Sequence, residues 1–186
     1  MAYTLYDQNG LEITHHDLQD KTKWCKDGEK VEQSFVRIHG EALGILINPE
    51  KENNAYAPDL LHVMDNIRGD LKTQNTPFFQ AQRLFGIDPT FVVVFNLKDR
   101  TRYQNLYPDI DIYYWVDWIA VKFMMGGREI VAQPLYGVWK TSFKELDNYL
   151  ETCPLHEYQQ RRYDNKGNAK SSFVLDIRNP CFNRLI

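Results

Sequence analysis

The spacing of apolar residues divides the chain into short elements separated by polar turns. Val31, Phe35 and Ile38 recur at intervals of four and three, one face of a helix that opens near Gly28 and that Gly40 would stop. Residues 43–47 (LGILI) form an unbroken apolar run that predicts a buried strand, and 48–54 a polar loop. Residues 56–63 read as a short strand entered through Pro58. Asp65-Asn66 reads as a turn and 67–74 as the returning strand, so the two predict a hairpin. Thr76-Pro77 predicts a helix start, with residues 78–85 as the helix and Gly86 as its end. The run FVVVF at 91–95 is apolar throughout and β-branched at its centre, the pattern of a strand covered on both faces.

The flanking regions are less regular. Residues 1–14 predict a short strand, an Asn9-Gly10 turn and a second short stretch, and 15–27 are polar enough to be helix or loop. Residues 111–124 hold an aromatic strand or bent pair, and Ile130-Val131 begins another short strand. Thr141 and Ser142 stand ahead of Glu145 in a capping-box arrangement for a helix through Leu150. Residues 156–177 predict a late hairpin turning at 164–167. This order predicts an α/β (α+β) fold, a central mixed sheet flanked by helices, in one domain over 1–186.

Composition excludes some classes. With 43% hydrophobic and 25% charged residues, the chain is globular rather than disordered, and no apolar run approaches a membrane span. No secretory leader is visible at the start, and Cys25, Cys153 and Cys181 are too scattered for a zinc ribbon or redox pair. A cytoplasmic setting is the expectation. The net charge of −3 is unevenly spread: residues 1–60 carry 6 Lys/Arg against 11 Asp/Glu, and 151–186 carry 6 against 4. Carboxylates gathered into a metal site would account for an acidic excess in a protein that handles phosphates.

The hairpin supplies candidates for such a site. Asp59 and Asp70 are far enough apart for one strand to finish, turn and return beside itself. Two carboxylates brought together in this way repel unless a cation or a shared proton lies between them, and hard oxygen donors favour Mg²⁺ or Mn²⁺. Strand alternation puts Asp70 and Lys72 on one face and Leu71 on the other. A lysine held there is placed to orient a water or offset charge on a phosphoryl transition state. Gln74 continues the same face, within reach of a phosphate or the attacking water.

Pro58-Asp59 followed by Asp70-Leu71-Lys72 resembles the PD-(D/E)xK nuclease superfamily, of restriction-endonuclease-like fold. The resemblance covers about residues 28–96, leaving 97–186 as a C-terminal elaboration of strands and a helix. In that family an acidic helix precedes a strand, the PD and (D/E)xK strands follow, and then come a helix and a further strand. The predicted order here is the Glu32 helix, the strand at Leu43, the hairpin, the helix at 77–85 and the strand at 91–95. The resemblance implies Asp59, Asp70 and the Leu71 carbonyl as metal ligands, Lys72 as the catalytic lysine and Glu32 as a second-metal ligand. Glu29 and Glu41 compete for that last role. It further implies an Mg²⁺- or Mn²⁺-dependent endo- or exonuclease acting on DNA. The alternative is an inactive nucleic-acid-binding or protein-interaction module on the same fold.

Other residues offer weaker chemistry. Lys98, Arg100 and Arg102 follow the FVVVF strand, where a loop would line a crevice and hold phosphates. Arg161, Arg162, Lys166 and Lys170 flank the late hairpin. Asp109 and Asp111 form a possible second carboxylate pair. Tyr113, Tyr114, Trp115 and Trp118 suit core packing, a homodimer contact or base stacking. His15-His16, His39, His62 and His156 suggest no metal set.

Overall fold

Glycines set the geometry of the first helix. In the computed structural model, which describes residues 3–13, 21–158 and 171–186, α1 (Lys21–Leu43) runs straight through Gly28 and Gly40. Gly40 is therefore not the predicted stop. A Cβ there would lie 2.8 Å from the Ile45 carbonyl oxygen, so glycine lets the chain fold back against its own helix. The stop is Gly44, at φ +64. The inward face also differs from the predicted one. Phe35 and His39 are buried, whereas Ile38 is 55% exposed.

After Gly44 the chain forms an antiparallel meander of β2 (Ile45–Ile47), β3 (Leu60–His62) and β4 (Arg68–Gln74); the N-terminal β1 (Tyr3–Tyr6) precedes α1 and belongs to another sheet. The predicted hairpin is present, closed through Asn66 at φ 58. The loop between β2 and β3 contains a 3-10 turn at Pro49–Glu52, capped by the Asn48 side chain.

The next stretch departs from expectation. The helix predicted over 77–85 shrinks to α2 (Ala81–Phe85), which has no side-chain cap, so Thr76-Pro77 does not open it. The FVVVF strand exists as β5 (Val92–Asn96) but lies outside the central sheet. It pairs antiparallel with β11 (Ser172–Asp176), which also pairs with β10 (Leu155–His156). The late hairpin is thus present as β10 and β11, while its predicted turn at 164–167 lies outside the described residues.

The strand that joins β4 is β6 (Asp111–Asp117), in parallel register from Gly69↔Asp111 to Gln74↔Val116. The helix packed between them in sequence is α3 (Leu97–Leu106), where sequence spacing suggested a basic loop. In chain order the helix, three strands, helix and strand are present as α1, β2 to β4, α2 and β5, but the strand beside β4 is β6, reached through α3. Apolar periodicity missed α3 because LKDRTRYQNL buries only Tyr103.

Antiparallel β9 (Tyr136–Ser142) and β12 (Asn183–Arg184) complete a mixed six-stranded sheet in the order β12-β9-β6-β4-β3-β2. β7 (Lys122–Met125) and β8 (Arg128–Val131) form a third sheet with β1. α4 (Phe143–Leu150) starts at the predicted capping box: Ser142 Oγ accepts from Glu145 N–H at 3.2 Å and donates to its carboxylate at 2.8 Å. The fold is the expected α/β (α+β) class.

Two cores separate the faces of the central sheet. Phe35 of α1 packs with Ile45, Leu60, Leu71, Tyr113 and Val138 on one side. On the other, Ile112, Tyr114 and Val116 pack with Phe95, Tyr103, Phe143 and Leu146. Leu71 therefore points into the α1 core, and its neighbours Asp70 and Lys72 point toward α3. Among the described residues no helix is long and apolar enough to cross a membrane.

Candidate functional site

The backbone brings Asp59 to Asp70. β3 and β4 pair through Leu61↔Arg68 and Leu60↔Gly69, so one residue further along Asp59 falls opposite Asp70. The Asp59 carboxylate then accepts a hydrogen bond from the Leu71 N–H at 3.1 Å, where β3 has ended and no strand partner remains on that side. Because the N–H and C=O of one residue point the same way in an extended strand, the Leu71 carbonyl faces this side too.

Asn48 fixes the approach of Asp59. It is buried, and its side chain acts in two directions. Nδ2 donates to the Pro58 carbonyl at 2.9 Å, and Oδ1 accepts from the Glu50 N–H at 3.1 Å. One residue thus secures both the Pro58-Asp59 strand entry and the 3-10 turn that carries Lys51. Asn48→Ala is expected to lower unfolding stability by about 1–3 kcal/mol, because the Pro58 carbonyl would be left buried without its donor. A urea titration reads this directly, and an unchanged midpoint would remove Asn48 from the account.

The side chains form two linked ion clusters. In the first, the Lys51 ammonium bridges Glu32 of α1 and Asp59, at 2.5 Å from Asp59 Oδ1. In the second, Lys72 Nζ lies 2.8 Å from Asp70 Oδ2 and 2.5 Å from Asp99 Oδ2. Arg102 Nη2 donates to Asp70 Oδ1 at 3.1 Å and to the Tyr103 hydroxyl at 2.5 Å. Asp99, Arg102 and Tyr103 all come from α3, so the crossover helix supplies three of the five residues of this cluster.

Charge and burial pull the groups in different directions. Burial raises the Asp59 carboxyl above its ordinary value, and the nearby Glu32 charge adds to this against Lys51. Burial likewise raises Asp70, with Asp59 adding to it and Lys72 opposing. Burial would lower Lys72, but the Asp70 and Asp99 charges outweigh it and hold the ammonium well above the usual lysine range. Asp99 goes the other way: burial works against its charge, but Lys72 prevails and its carboxyl is lowered. Four carboxylates (Glu32, Asp59, Asp70, Asp99) thus share three cations (Lys51, Lys72, Arg102), a net charge of 3 − 4 = −1.

The sequence candidates are sorted by this geometry. Asp59, Asp70, Lys72 and Glu32 are brought together, the last through Lys51. Glu41 is exposed and has no part in the network, and the Glu29 side chain lies outside the described residues. Gln74 continues the Lys72 face at half-burial without entering either cluster. Of the basic trio only Arg102 reaches the site, since Arg100 pairs with Asp147 at 2.6 Å and with Glu151. Lys98 is exposed.

Asp109 and Asp111 do not pair. Asp111 is buried against Lys140 at 2.6 Å, and Asp109 is exposed. Tyr113, Tyr114 and Trp118 are core, which leaves them no face for a base or a second copy. His39 hydrogen-bonds Tyr136 at 3.2 Å, and His62 pairs with Asp65 at 2.8 Å. His15, His16, Arg161, Arg162, Lys166 and Lys170 lie outside the described residues. Lys51, Asn48, Asp99 and Tyr103 were not legible as site residues. The first two sit in what reads as a polar loop, and the last two on a helix without apolar periodicity.

No protein-family model, curated protein or solved structure matches the chain.

Proposed function

We propose that the chain is a metal-dependent nuclease that hydrolyses DNA phosphodiester bonds at the Asp59–Asp70–Lys72 site. The observation that carries this reading is the facing pair Asp59 and Asp70, both with raised carboxyl pKa, beside a half-buried lysine that stays charged. Burial is the main cause of both shifts, and repulsion between neighbouring carboxylates adds to it. The chain order of a helix, three antiparallel strands, a short helix and a strand supports the nuclease reading, since that is the order the sequence resemblance implies, with β6 rather than β5 lying parallel beside β4. DNA as the substrate comes from the same resemblance.

The donors suit a hard divalent cation. All are oxygens, and the Glu32–Asp59 gap already accommodates one positive group, the Lys51 ammonium. Among the described residues no three acidic, His or Cys side chains are preassembled for a metal, because side-chain cations stand between the carboxylates. Asp59, Asp70 and the Leu71 carbonyl would hold Mg²⁺ or Mn²⁺. Such an ion polarises a phosphoryl oxygen and activates water for in-line attack.

The protein's own groups do the rest. The Lys72 ammonium, fixed by Asp70 and Asp99, donates toward charge that builds on the phosphoryl oxygens. Asp99 would still hold Lys72 if Asp70 ligated a metal. The Arg102 guanidinium shares Asp70 with Lys72, and its side chain is partly exposed. It is suited to a second phosphate oxygen, an Arg–phosphate geometry that gives affinity without reading sequence.

A second reading has one observation behind it. Both Asp59 and Asp70 are already contacted by side-chain cations, as a non-catalytic module on this fold would have them. Incubation with plasmid, linear duplex and single-stranded DNA, in Mg²⁺, Mn²⁺ or chelator, separates the two. Cleavage that chelator stops supports the nuclease. Binding without cleavage in either metal supports the module.

The pKa directions give a pH test. Because Asp59 and Asp70 are raised in the folded chain, their contribution to metal-free stability is fully present when they are protonated and is lost as pH rises through the raised values. Metal binding needs the deprotonated forms, so its stabilisation runs the opposite way. The rise in melting temperature caused by Mg²⁺ is expected to grow with pH as the two carboxyls deprotonate. It should fade as pH falls, beginning above the ordinary carboxyl value of 3.8. A rise that persists undiminished down to about pH 4 would count against these two ligands.

A further inference from the structure

We infer that Lys51 takes the place of a second metal ion, so that the site binds one divalent cation and Glu32 serves to hold Lys51 rather than to ligate metal. This rests on the metal-dependent reading above and deepens it. The Lys51 ammonium contacts both Glu32 and Asp59, the two carboxylates that a second ion would bridge, and its side chain is only 19% exposed. It is not a loose surface lysine. Its backbone belongs to the 3-10 turn capped by Asn48, and the same Asn48 side chain holds the strand entry of Asp59. The ammonium and Asp59 are therefore positioned by one hydrogen-bonded unit, and Glu32 is presented to them by α1.

Charge counting favours a single ion. The four carboxylates and three side-chain cations sum to −1, so one divalent ion brings the site to −1 + 2 = +1. One phosphodiester anion then returns it to zero. Two divalent ions would leave −1 + 4 = +3 before substrate enters, a repulsive arrangement among groups this close. Removing the Lys51 charge shifts the count by one and opens the Glu32–Asp59 gap. A second ion then becomes electrostatically tolerable there, with two carboxylates to receive it.

The experiment is Mn²⁺ titration of the full chain without nucleic acid, following free Mn²⁺ by electron paramagnetic resonance. Wild type is expected to take up one ion per chain, and Lys51→Arg, which keeps the charge, also one. Lys51→Met is expected to gain a second ion or to bind the first at least about tenfold more tightly. Its melting temperature should fall without metal and recover in Mn²⁺. Should the apolar variant fail to fold, Lys51→Gln removes the charge while keeping a donor for both carboxylates. Two ions on wild type, or Lys51→Met and Lys51→Gln behaving as wild type, would overturn the inference while leaving the metal site intact. No uptake by wild type would overturn the metal reading, and this inference with it.

Discussion

Lys72→Ala is expected to reduce metal-dependent cleavage by about 10³-fold or more, the scale of losing a preorganised charged donor at a reacting oxygen. The prediction follows from where the lysine is held. Its Nζ is fixed by Asp70 and Asp99 on β4 and α3, and the positive charge cannot be supplied from solvent at a site this buried. Stability should fall as well, because breaking a buried ion pair from one side costs about 3–5 kcal/mol when the remaining charge is left alone. Here Asp70 keeps Arg102, so the loss falls mainly on Asp99. Lys72→Arg separates the two effects. It retains the charge and the fold but moves the donor, and its cleavage rate should stay far below wild type. Single-turnover rates at saturating Mg²⁺, with circular dichroism on each variant, read both quantities. Cleavage by folded Lys72→Ala at a rate near wild type would exclude the assigned role.

Asp70→Asn is expected to dissociate metal binding from folding. Metal affinity should drop by more than about 100-fold, beyond the loss typical of a change one layer out from the ligands. Metal-free stability should stay close to wild type. The reason is the direction of the Asp70 shift: burial already disfavours its charge, so a neutral amide relieves that penalty as it gives up the contact to Lys72. Lys72 keeps Asp99, and Arg102 keeps the Tyr103 hydroxyl. Isothermal titration with Mn²⁺ beside a thermal melt tests the pair of outcomes. A variant that binds metal as tightly as wild type would remove Asp70 from the ligand set.

Sequence alone led to the β3–β4 hairpin and the shared face of Asp70 and Lys72 because strand alternation is a short-range rule. Two residues two apart on an extended strand must share a face, whatever surrounds them. The α4 capping box was legible for the same reason. What failed was long-range. The FVVVF strand looked like the next strand of the central sheet, yet it pairs with β11, some 80 residues later, as in Val94↔Val174. An apolar run says that a strand is covered, and it does not name the neighbour. The polar helix α3 was hidden because Tyr103 is its only buried residue, so no stripe betrayed it. Gly40 misled in another way. Glycine ends helices when its φ is positive, but here it lies within the helix and is required for close approach to Ile45. Of the candidate site, the two aspartates and Lys72 could be read, and Glu32 only by resemblance. Lys51 could not be read at all, since its role depends on two carboxylates brought to it from different elements.

The central claim is that Asp59, Asp70 and the Leu71 carbonyl converge on one divalent cation. Anomalous diffraction from a crystal soaked in Mn²⁺ tests it most directly. A single anomalous peak is expected about 2 Å from oxygens of all three residues, absent in Asp70→Asn. A peak bound elsewhere, or no peak at this hairpin at saturating Mn²⁺, would contradict it.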